Sequence, residues 1–161
     1  MSRYYLDTNA WVDLLRSEAA LLELITRCRS KRLEIVFSQE NSNELLENDN
    51  ISDATRERDL PRLAQWLDKV QPDEIAILGQ GKLGMMKFAS PEKSLTFNRH
   101  IYGAKKKDRN TAADGVHLIN ALSHQAILVT ADVELIASAQ GEGLTCISLR
   151  EFLEAEHLTF N

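Results

Sequence analysis

The sequence has few of the features that assign a chain to a specialised class of protein. It has two cysteines among its 161 residues. Cys28 and Cys146 lie far apart, in neither a metal-ligand spacing nor a disulfide framework, which argues against a disulfide-stapled or zinc-finger domain. No apolar stretch approaches the roughly 20 residues of a membrane-spanning helix. The N-terminus lacks the basic-then-apolar layout of a signal peptide, so we expect a cytoplasmic protein with no membrane segment.

The sequence also lacks an excess of positive charge. It has 19 Lys and Arg residues against 24 Asp and Glu residues, for a net charge of -5. Domains that coat nucleic acid by bulk electrostatics are usually basic, so the composition argues against that class. One local exception, which we call the basic strip, comprises Arg99, Lys105, Lys106, Lys107 and Arg109. Its position just before Asp114 favours contact with substrate phosphates, and a solvated surface loop is the alternative.

No repeat, low-complexity segment or linker interrupts the chain, so residues 1–161 are expected to form a single domain. A chain of this length buries about two-thirds of its unfolded surface and needs no external staple. Apolar patterning predicts alternating strands and helices along it. The strands are expected at 3–6, 33–37, 74–78, 126–130 and 144–148. The helices are expected after Asn9, at 21–29, from Ser38, at 61–70, at 111–124, after Asp132, and after Ser148 with a capping box to Glu151.

This alternation is typical of a three-layer α/β fold, with a central parallel sheet of about five strands flanked by helices. In such sheets, ligands bind beyond the carboxyl ends of the strands. Asp7 and Asp132 each follow a predicted strand. Glu44 lies in the helix that begins after a third strand, and Asp114 is expected in the first turn of the helix before strand 126–130. The four carboxylates are therefore expected to share one pocket.

Clustered carboxylates repel one another unless a cation lies between them. Mg2+ and Mn2+ prefer oxygen ligands and are often shared with substrate phosphates. A bound ion of this kind can polarise a phosphodiester and lower the pKa of a water, which is the chemistry of phosphodiester hydrolysis. Each acid also has a structural explanation. Asp7 and Asp132 could cap helices, Asp114 could form a capping box with Thr111, and Glu44 could be solvated.

Four segments resemble the PIN-domain family. They are "YYLDTNAWVDLL", "SQENSNEL", "ADGVHLINAL" and "AILVTADVEL", and they occur in the family's order. The first resembles the opening strand with its Asp-Thr-Asn motif, and the second the pattern of Ser, five residues, Glu and Leu. The third resembles the helix that carries the third acid, and the last the strand that ends in Thr, any residue and Asp. The resemblance covers both ends of the chain.

The resemblance implies a metal-dependent ribonuclease, with Mg2+ or Mn2+ held by Asp7, Glu44, Asp114 and Asp132. Asn9 and Thr130 match family positions that support the acidic site. Many small members are the toxin half of toxin-antitoxin pairs, which implies RNA as substrate, a small antitoxin protein as partner and a homodimer. Tyr102 or His100 could stack on an unpaired base.

Three alternatives remain open from the sequence. The acidic site does not distinguish ribose from deoxyribose, so a DNA or structure-specific nuclease would have the same acidic residues. A non-catalytic domain for RNA binding or protein interaction is the second. A phosphatase or receiver-like domain is the third, although "DTN" lacks the second aspartate of the phosphatase motif. His117 and His124 lie on one helical stripe with Asn120, and we interpret that stripe as the polar face of the helix.

Overall fold

The computed structural model describes residues 2–67, 75–76, 87–88, 96 and 109–158. Its strands are β1 (Arg3–Leu6), β2 (Glu34–Val36), β3 (Ile75–Ala76), β4 (Lys87–Phe88), β5 (Ile127–Val129) and β6 (Cys146–Ile147). Its helices are α1 (Thr8–Leu15), α2 (Glu18–Arg29), α3 (Gln39–Glu47), α4 (Asp53–Leu67), α5 (Arg109–Ser123), α6 (Val133–Gly141) and α7 (Leu149–Ala155).

The central sheet is parallel throughout and has the strand order β2-β1-β5-β6. Tyr4 of β1 is paired with Ile35 on one side and with Ile127 on the other. Strand β3, expected as one of the five strands of the central sheet, instead pairs with β4 in a separate two-stranded sheet. The expected α/β architecture is confirmed, but the central sheet has four strands in the described part of the chain rather than about five.

Alternation along the strands divides the core into two layers. Tyr4 and Leu6 point to a first cluster that includes Trp11, Leu24 and Phe152, from helices α1, α2 and α7. Tyr5, between them in β1, points to the opposite cluster, built with side chains of α5 and α6. Because successive residues of a strand face opposite sides, a run of three apolar residues requires helices on both faces. The arrangement therefore fits a three-layer α/β fold.

Two pairs of aromatic rings pack on the first face of the sheet. Trp11 meets Phe37 edge to face with ring centroids 5.3 Å apart, and Tyr4 meets Phe152 in the same manner at 4.8 Å. Such pairs contribute about 0.5–1.5 kcal/mol beyond their buried area. They tie α1 and α7 to the first face of the sheet.

Both cysteines are free thiols that complete the two layers. Cys28 packs against the first cluster and Cys146 against the second. Burial raises the pKa of the Cys28 thiol to about 12, which disfavours the reactive thiolate. The expectation that both cysteines fill core space is confirmed.

Several element boundaries follow from caps that are visible in the sequence. Ser38 caps α3 in a capping box with Asn41, and Ser148 caps α7 in a capping box with Glu151. Helices α2 and α6 begin after Ser17 and Asp132, whose side chains each accept a hydrogen bond from a backbone amide of the first turn. The caps expected at Ser38, Asp132 and Ser148 are confirmed.

Helix α4 begins earlier than expected. The sequence predicts a start near Pro61, but the helix begins at Asp53 and contains Pro61 in its interior. Ser52 accepts a hydrogen bond from the Thr55 amide through its hydroxyl and so starts the helix. The first turns bury an ionic residue, Asp59, rather than an apolar stripe. Hydrophobic periodicity therefore missed them, and the expected end at Val70 lies outside the described residues.

The strand order reverses at the carboxyl ends of β1 and β5, and we call this edge of the sheet the crevice. The chain leaves β1 toward β2 over the first face, through α1 and α2, and leaves β5 in the opposite direction, toward β6, over the second face through α6. Opposite directions on opposite faces keep both crossovers right-handed. The point where the strand order reverses is the preferred ligand site of open parallel sheets. Within the described ranges, no helix has the length and apolarity needed to cross a bilayer.

Candidate functional site

Asp7 lies in the crevice and joins the two central strands. It follows β1, and its backbone amide donates to the Val129 carbonyl of β5 at 3.0 Å. Its Oδ1 accepts from the Ala10 amide at 2.7 Å and so caps α1. Its Oδ2 accepts from the hydroxyl of Thr130. The structural explanation of Asp7 as a helix cap is thus correct, but the cap uses only one oxygen, and the second links β1 to β5.

Thr130 also connects Asp7 to Asp132. Its Oγ1 accepts from the backbone amide of Asp132 at 3.0 Å while donating to Asp7. Asp132 Oδ1 caps α6 by accepting from the Leu135 amide at 2.8 Å. One hydroxyl therefore links the Asp7 carboxylate to the backbone of Asp132, and the supporting role expected of Thr130 stays a prediction.

Asp114 enters the crevice from the second turn of α5. The helix begins at Arg109, so Asp114 is not in its first turn, and the capping-box explanation with Thr111 is wrong. Burial raises the pKa of the Asp114 carboxyl to about 7. The positive charge of His117 opposes that shift, while Asp132, Glu44 and Asp7 add to it. The four predicted acids therefore lie within electrostatic reach of one another.

Burial and the charges of His117 and Asp132 also act on Asp7. Its side chain is buried, and this burial raises its pKa above the ordinary aspartate value. The hydrogen bonds from Thr130 and Ala10 and the charge of His117 oppose the rise, whereas Asp132 adds to it. A carboxylate held close to other carboxylates in a buried position gains most from a nearby cation.

Glu44 reaches the crevice from α3, where it meets α1 and α5. Its Oε2 lies 2.8 Å from His117 Nε2 and also accepts from the hydroxyl of Thr8. The side chain is 27% exposed, so the explanation of Glu44 as a solvated surface glutamate does not fit. Thr8 and His117 together hold this acid at the edge of the cluster.

The proton state of His117 follows from its partners. Ser38 gives its hydroxyl proton to Asn41 Oδ1, so the Tyr5 hydroxyl donates to Ser38 Oγ at 2.8 Å. Tyr5 then accepts from His117 Nδ1, also at 2.8 Å. Nε2 faces a carboxylate, which can only accept. These partners favour a proton on both ring nitrogens and therefore a cationic ring.

The electrostatics of His117 agree with this assignment. Burial alone would lower the pKa of the ring, but Tyr5 and the Glu44 carboxylate stabilise the protonated form and raise the pKa well above the ordinary histidine value. The ring is 2% exposed. A buried imidazolium thus lies among the four carboxylates and offsets part of their charge.

One sequence interpretation of side chains near the site needs revision. The stripe of His117 and Asn120 is not a polar face of α5, because both residues are buried and Asn120 donates to the Tyr5 hydroxyl at 3.5 Å. The Asn9 side chain is exposed and its neighbour Thr8 donates to Glu44, so the supporting role of Asn9 stays a prediction. The sequence signal for His117 was its position three residues after Asp114, on the same side of the helix.

Most of the basic strip lies outside the described residues. This holds for Arg99, Lys105, Lys106 and Lys107, and for His100 and Tyr102. Arg109 is the first residue of α5, and its side chain is also outside the described part. The contact of this strip with substrate phosphates therefore stays a prediction.

The cluster has the donor chemistry of a divalent metal site. Within the described ranges, no group of three or more His, Cys, Asp or Glu side chains is already arranged to hold an ion. Asp7, Asp132 and Glu44 instead take hydrogen bonds from protein donors. Each carboxylate oxygen has two lone pairs, so Asp7 keeps capacity for a cation beside its two hydrogen bonds, whereas Glu44 Oε2 takes two donors and a cation there would bind Oε1. Carboxylates are the ligands that Mg2+ and Mn2+ prefer, and an ion bound here would offset both causes of the raised pKa of Asp114, its burial first and then the charges of Asp132, Glu44 and Asp7.

Comparison with known proteins identifies no relative, because no family model and no curated protein matches the chain.

Proposed function

We propose that the chain is a Mg2+- or Mn2+-dependent nuclease that hydrolyses RNA. The observation that carries the proposal is the meeting of Asp7, Glu44, Asp114 and Asp132 at the carboxyl edge of the parallel sheet. The pKa of Asp114 is raised to about 7 by burial and, in part, by the charges of the other three acids. Perturbed pKa values of this kind cluster at functional sites, which supports a ligand at this edge.

The four acids are the proposed ligands. A divalent ion bound to them would polarise a phosphodiester and supply a hydroxide near neutral pH. The chain's own residues orient and tune these ligands. Thr130 sets the positions of Asp7 and Asp132, Thr8 and His117 hold Glu44, and the charge of His117 favours the ionised forms of Asp7 and Asp114.

The choice of RNA rests on the resemblance to PIN domains rather than on a contact. The acidic cluster recognises phosphate and metal, and it does not distinguish ribose from deoxyribose. The basic strip would guide a single strand toward Asp114, because lysine and arginine bind phosphates irrespective of base sequence. A small antitoxin protein as inhibitor, self-association as a homodimer and a cytoplasmic location belong to the same proposal.

The proposal is tested with purified wild-type protein and its Asp7→Asn variant. Each is incubated with labelled single-stranded RNA or DNA of equal sequence, in Mg2+, Mn2+ or EDTA. Asparagine still caps α1, so the variant loses charge without losing the cap. We expect wild-type cleavage of RNA that EDTA abolishes and that falls at least about 100-fold in the variant.

The matched control is Asp13→Asn, which removes an exposed acid of α1 that pairs with Arg16 at the surface. Its cleavage rate should equal that of the wild type. Equal cleavage by the wild type and Asp7→Asn would refute the proposal. Cleavage of DNA alone would keep the metal site and replace the substrate. RNA binding without cleavage in either metal would favour the non-catalytic alternative.

A further inference from the structure

The site contains a buried chain of polar side chains that ends on one of the proposed metal ligands. It runs from Asn41 through Ser38, Tyr5 and His117 to Glu44, in consecutive hydrogen bonds. Each of its last two links is 2.8 Å long. Its members come from β1, α5 and the N-terminal part of α3, so the chain is assembled only in the folded protein.

We infer that His117 is a positioning residue for the Glu44 carboxylate: its Nε2–H donor fixes Oε2 and so presents the other oxygen, Oε1, to the metal site. The inference rests on the proposed function. The orientation of the ring is fixed, because the residue is 2% exposed and its second nitrogen, Nδ1, is hydrogen-bonded to the Tyr5 hydroxyl. Thr8 donates to the same oxygen of Glu44, so two donors from two helices meet on one atom.

His117 uses Nδ1 on the buried Tyr5 hydroxyl, which is anchored to the cap of α3, and Nε2 on a partly exposed carboxylate. Partners that orient ligating side chains are typically worth about 10- to 100-fold in metal affinity. The loss of His117 should therefore weaken metal binding without any direct contact between the ring and the ion.

Charge acts in the opposite direction. The cationic ring repels a divalent ion, so removing its charge alone would tighten metal binding. Geometry and charge are separated by two substitutions. His117→Gln keeps an N–H donor near the position of Nε2 and removes the charge, whereas His117→Leu removes both. Tyr5→Phe keeps the charge and the buried ring, and it removes only the hydroxyl that holds the imidazole.

The experiment measures Mn2+ affinity by electron paramagnetic resonance for the wild-type protein and these three variants, with thermal unfolding of each as a check of folding. His124→Gln is the control, because it changes a histidine just beyond the end of α5. We expect His117→Leu to bind Mn2+ about 10- to 100-fold more weakly and Tyr5→Phe roughly 3- to 10-fold more weakly. His117→Gln should stay within about threefold of the wild type, as should the control.

The outcomes distinguish the inference from the proposed function. Wild-type protein that binds no Mn2+ would overturn both. If the wild type binds Mn2+ but His117→Leu and His117→Gln bind it with equal affinity, the positioning role alone would be overturned. The N–H donor that only His117→Gln keeps would then make no difference to metal binding. If His117→Leu does not fold, Tyr5→Phe decides, and unchanged affinity in that variant would contradict the inference.

Discussion

Two buried carboxylates in this chain, Asp59 and Asp7, have opposite surroundings. The Asp59 side chain is fully buried, and Arg58 donates to its two oxygens at 2.9 and 2.8 Å, with Arg62 at 3.5 Å. Asp7 is held by an amide and a hydroxyl, close to Asp132, which raises its pKa, and to His117, which lowers it. Asp59 is compensated by arginines of its own helix, whereas Asp7 belongs to a group with surplus negative charge.

The same contrast separates the surface from the crevice. Asp13 pairs with Arg16 at 2.7 Å, and Glu154 pairs with Arg150 at 2.8 Å, each one helical turn away. Exposed pairs of this kind contribute about 0–1 kcal/mol. In the crevice, the charge of His117 lowers the pKa of both Asp7 and Asp114, whereas that of Asp132 and burial raise both. Burial of an acid alone therefore does not indicate a site, whereas burial with too little compensating charge does.

The largest expected effect comes from Asp132→Asn, which separates capping from catalysis. Asparagine caps a helix as well as aspartate does, so the midpoint of thermal unfolding should move by about 1 °C or less. The charge of a proposed ligand is lost, so the rate of RNA cleavage should fall at least about 100-fold. Both quantities are measured on one preparation. A variant with full activity would remove Asp132 from the proposed ligands.

A smaller effect, on stability alone, is expected for Asp59→Ala. The change removes charge-assisted hydrogen bonds from Arg58 and Arg62 and leaves both half-exposed arginines to water. We expect the free energy of unfolding to fall by about 2 kcal/mol in urea titrations. Cleavage per folded molecule should not change. A loss of activity beyond the loss of folded protein would place Asp59 in the functional machinery and break the contrast.

Asp114→Asn should stabilise the metal-free protein. The pKa of Asp114 is about 7 in the folded state against an ordinary value of 3.8, so the folded state binds the proton more tightly. Wild-type stability is therefore lost as the pH rises from about 4 to about 7, whereas asparagine is neutral throughout. Solvent screens the half-buried carboxyl, and we expect a gain of about 1–2 kcal/mol at pH 8.

The measurement is urea unfolding in EDTA at pH 8 and again near pH 3.5, where the gain should vanish because wild-type Asp114 is then protonated in both states. Asp13→Asn is the control, with no gain expected at either pH. A destabilised Asp114→Asn at pH 8 would mean that the carboxylate is compensated in the metal-free protein, as Asp59 is.

The sequence predicted the parts of the molecule that depend on local patterns. Apolar periodicity and caps located β1, α2, α6 and α7, because short-range contacts decide where those elements begin. The early start of α4 was missed because its first turns bury a charged residue, Asp59, instead of an apolar stripe. The pairing of β3 with β4 was missed because a two-residue strand carries no local signal of its partner.

The candidate site divides in the same way. The alignment of acids with strand ends placed Asp7 and Asp132 near each other, since parallel strands bring their carboxyl ends to one edge. The role of His117 depends on Tyr5 and Glu44, which are 112 and 73 residues away along the chain. Contacts at such separations exist only after folding, so the stripe on α5 was interpreted as a polar face.

The most direct test of the central claim is whether one cation binds to all four carboxylates. Mn2+ is titrated into the wild-type protein and into Asp7→Asn, Glu44→Gln, Asp114→Asn and Asp132→Asn, with Asp13→Asn as control, and bound ion is followed by electron paramagnetic resonance. If the four acids form one site, wild type and control bind Mn2+ alike, and each of the four variants binds it at least about tenfold more weakly. Equal Mn2+ binding by all six proteins, or no binding by the wild type, would contradict the claim that the four acids form one metal site.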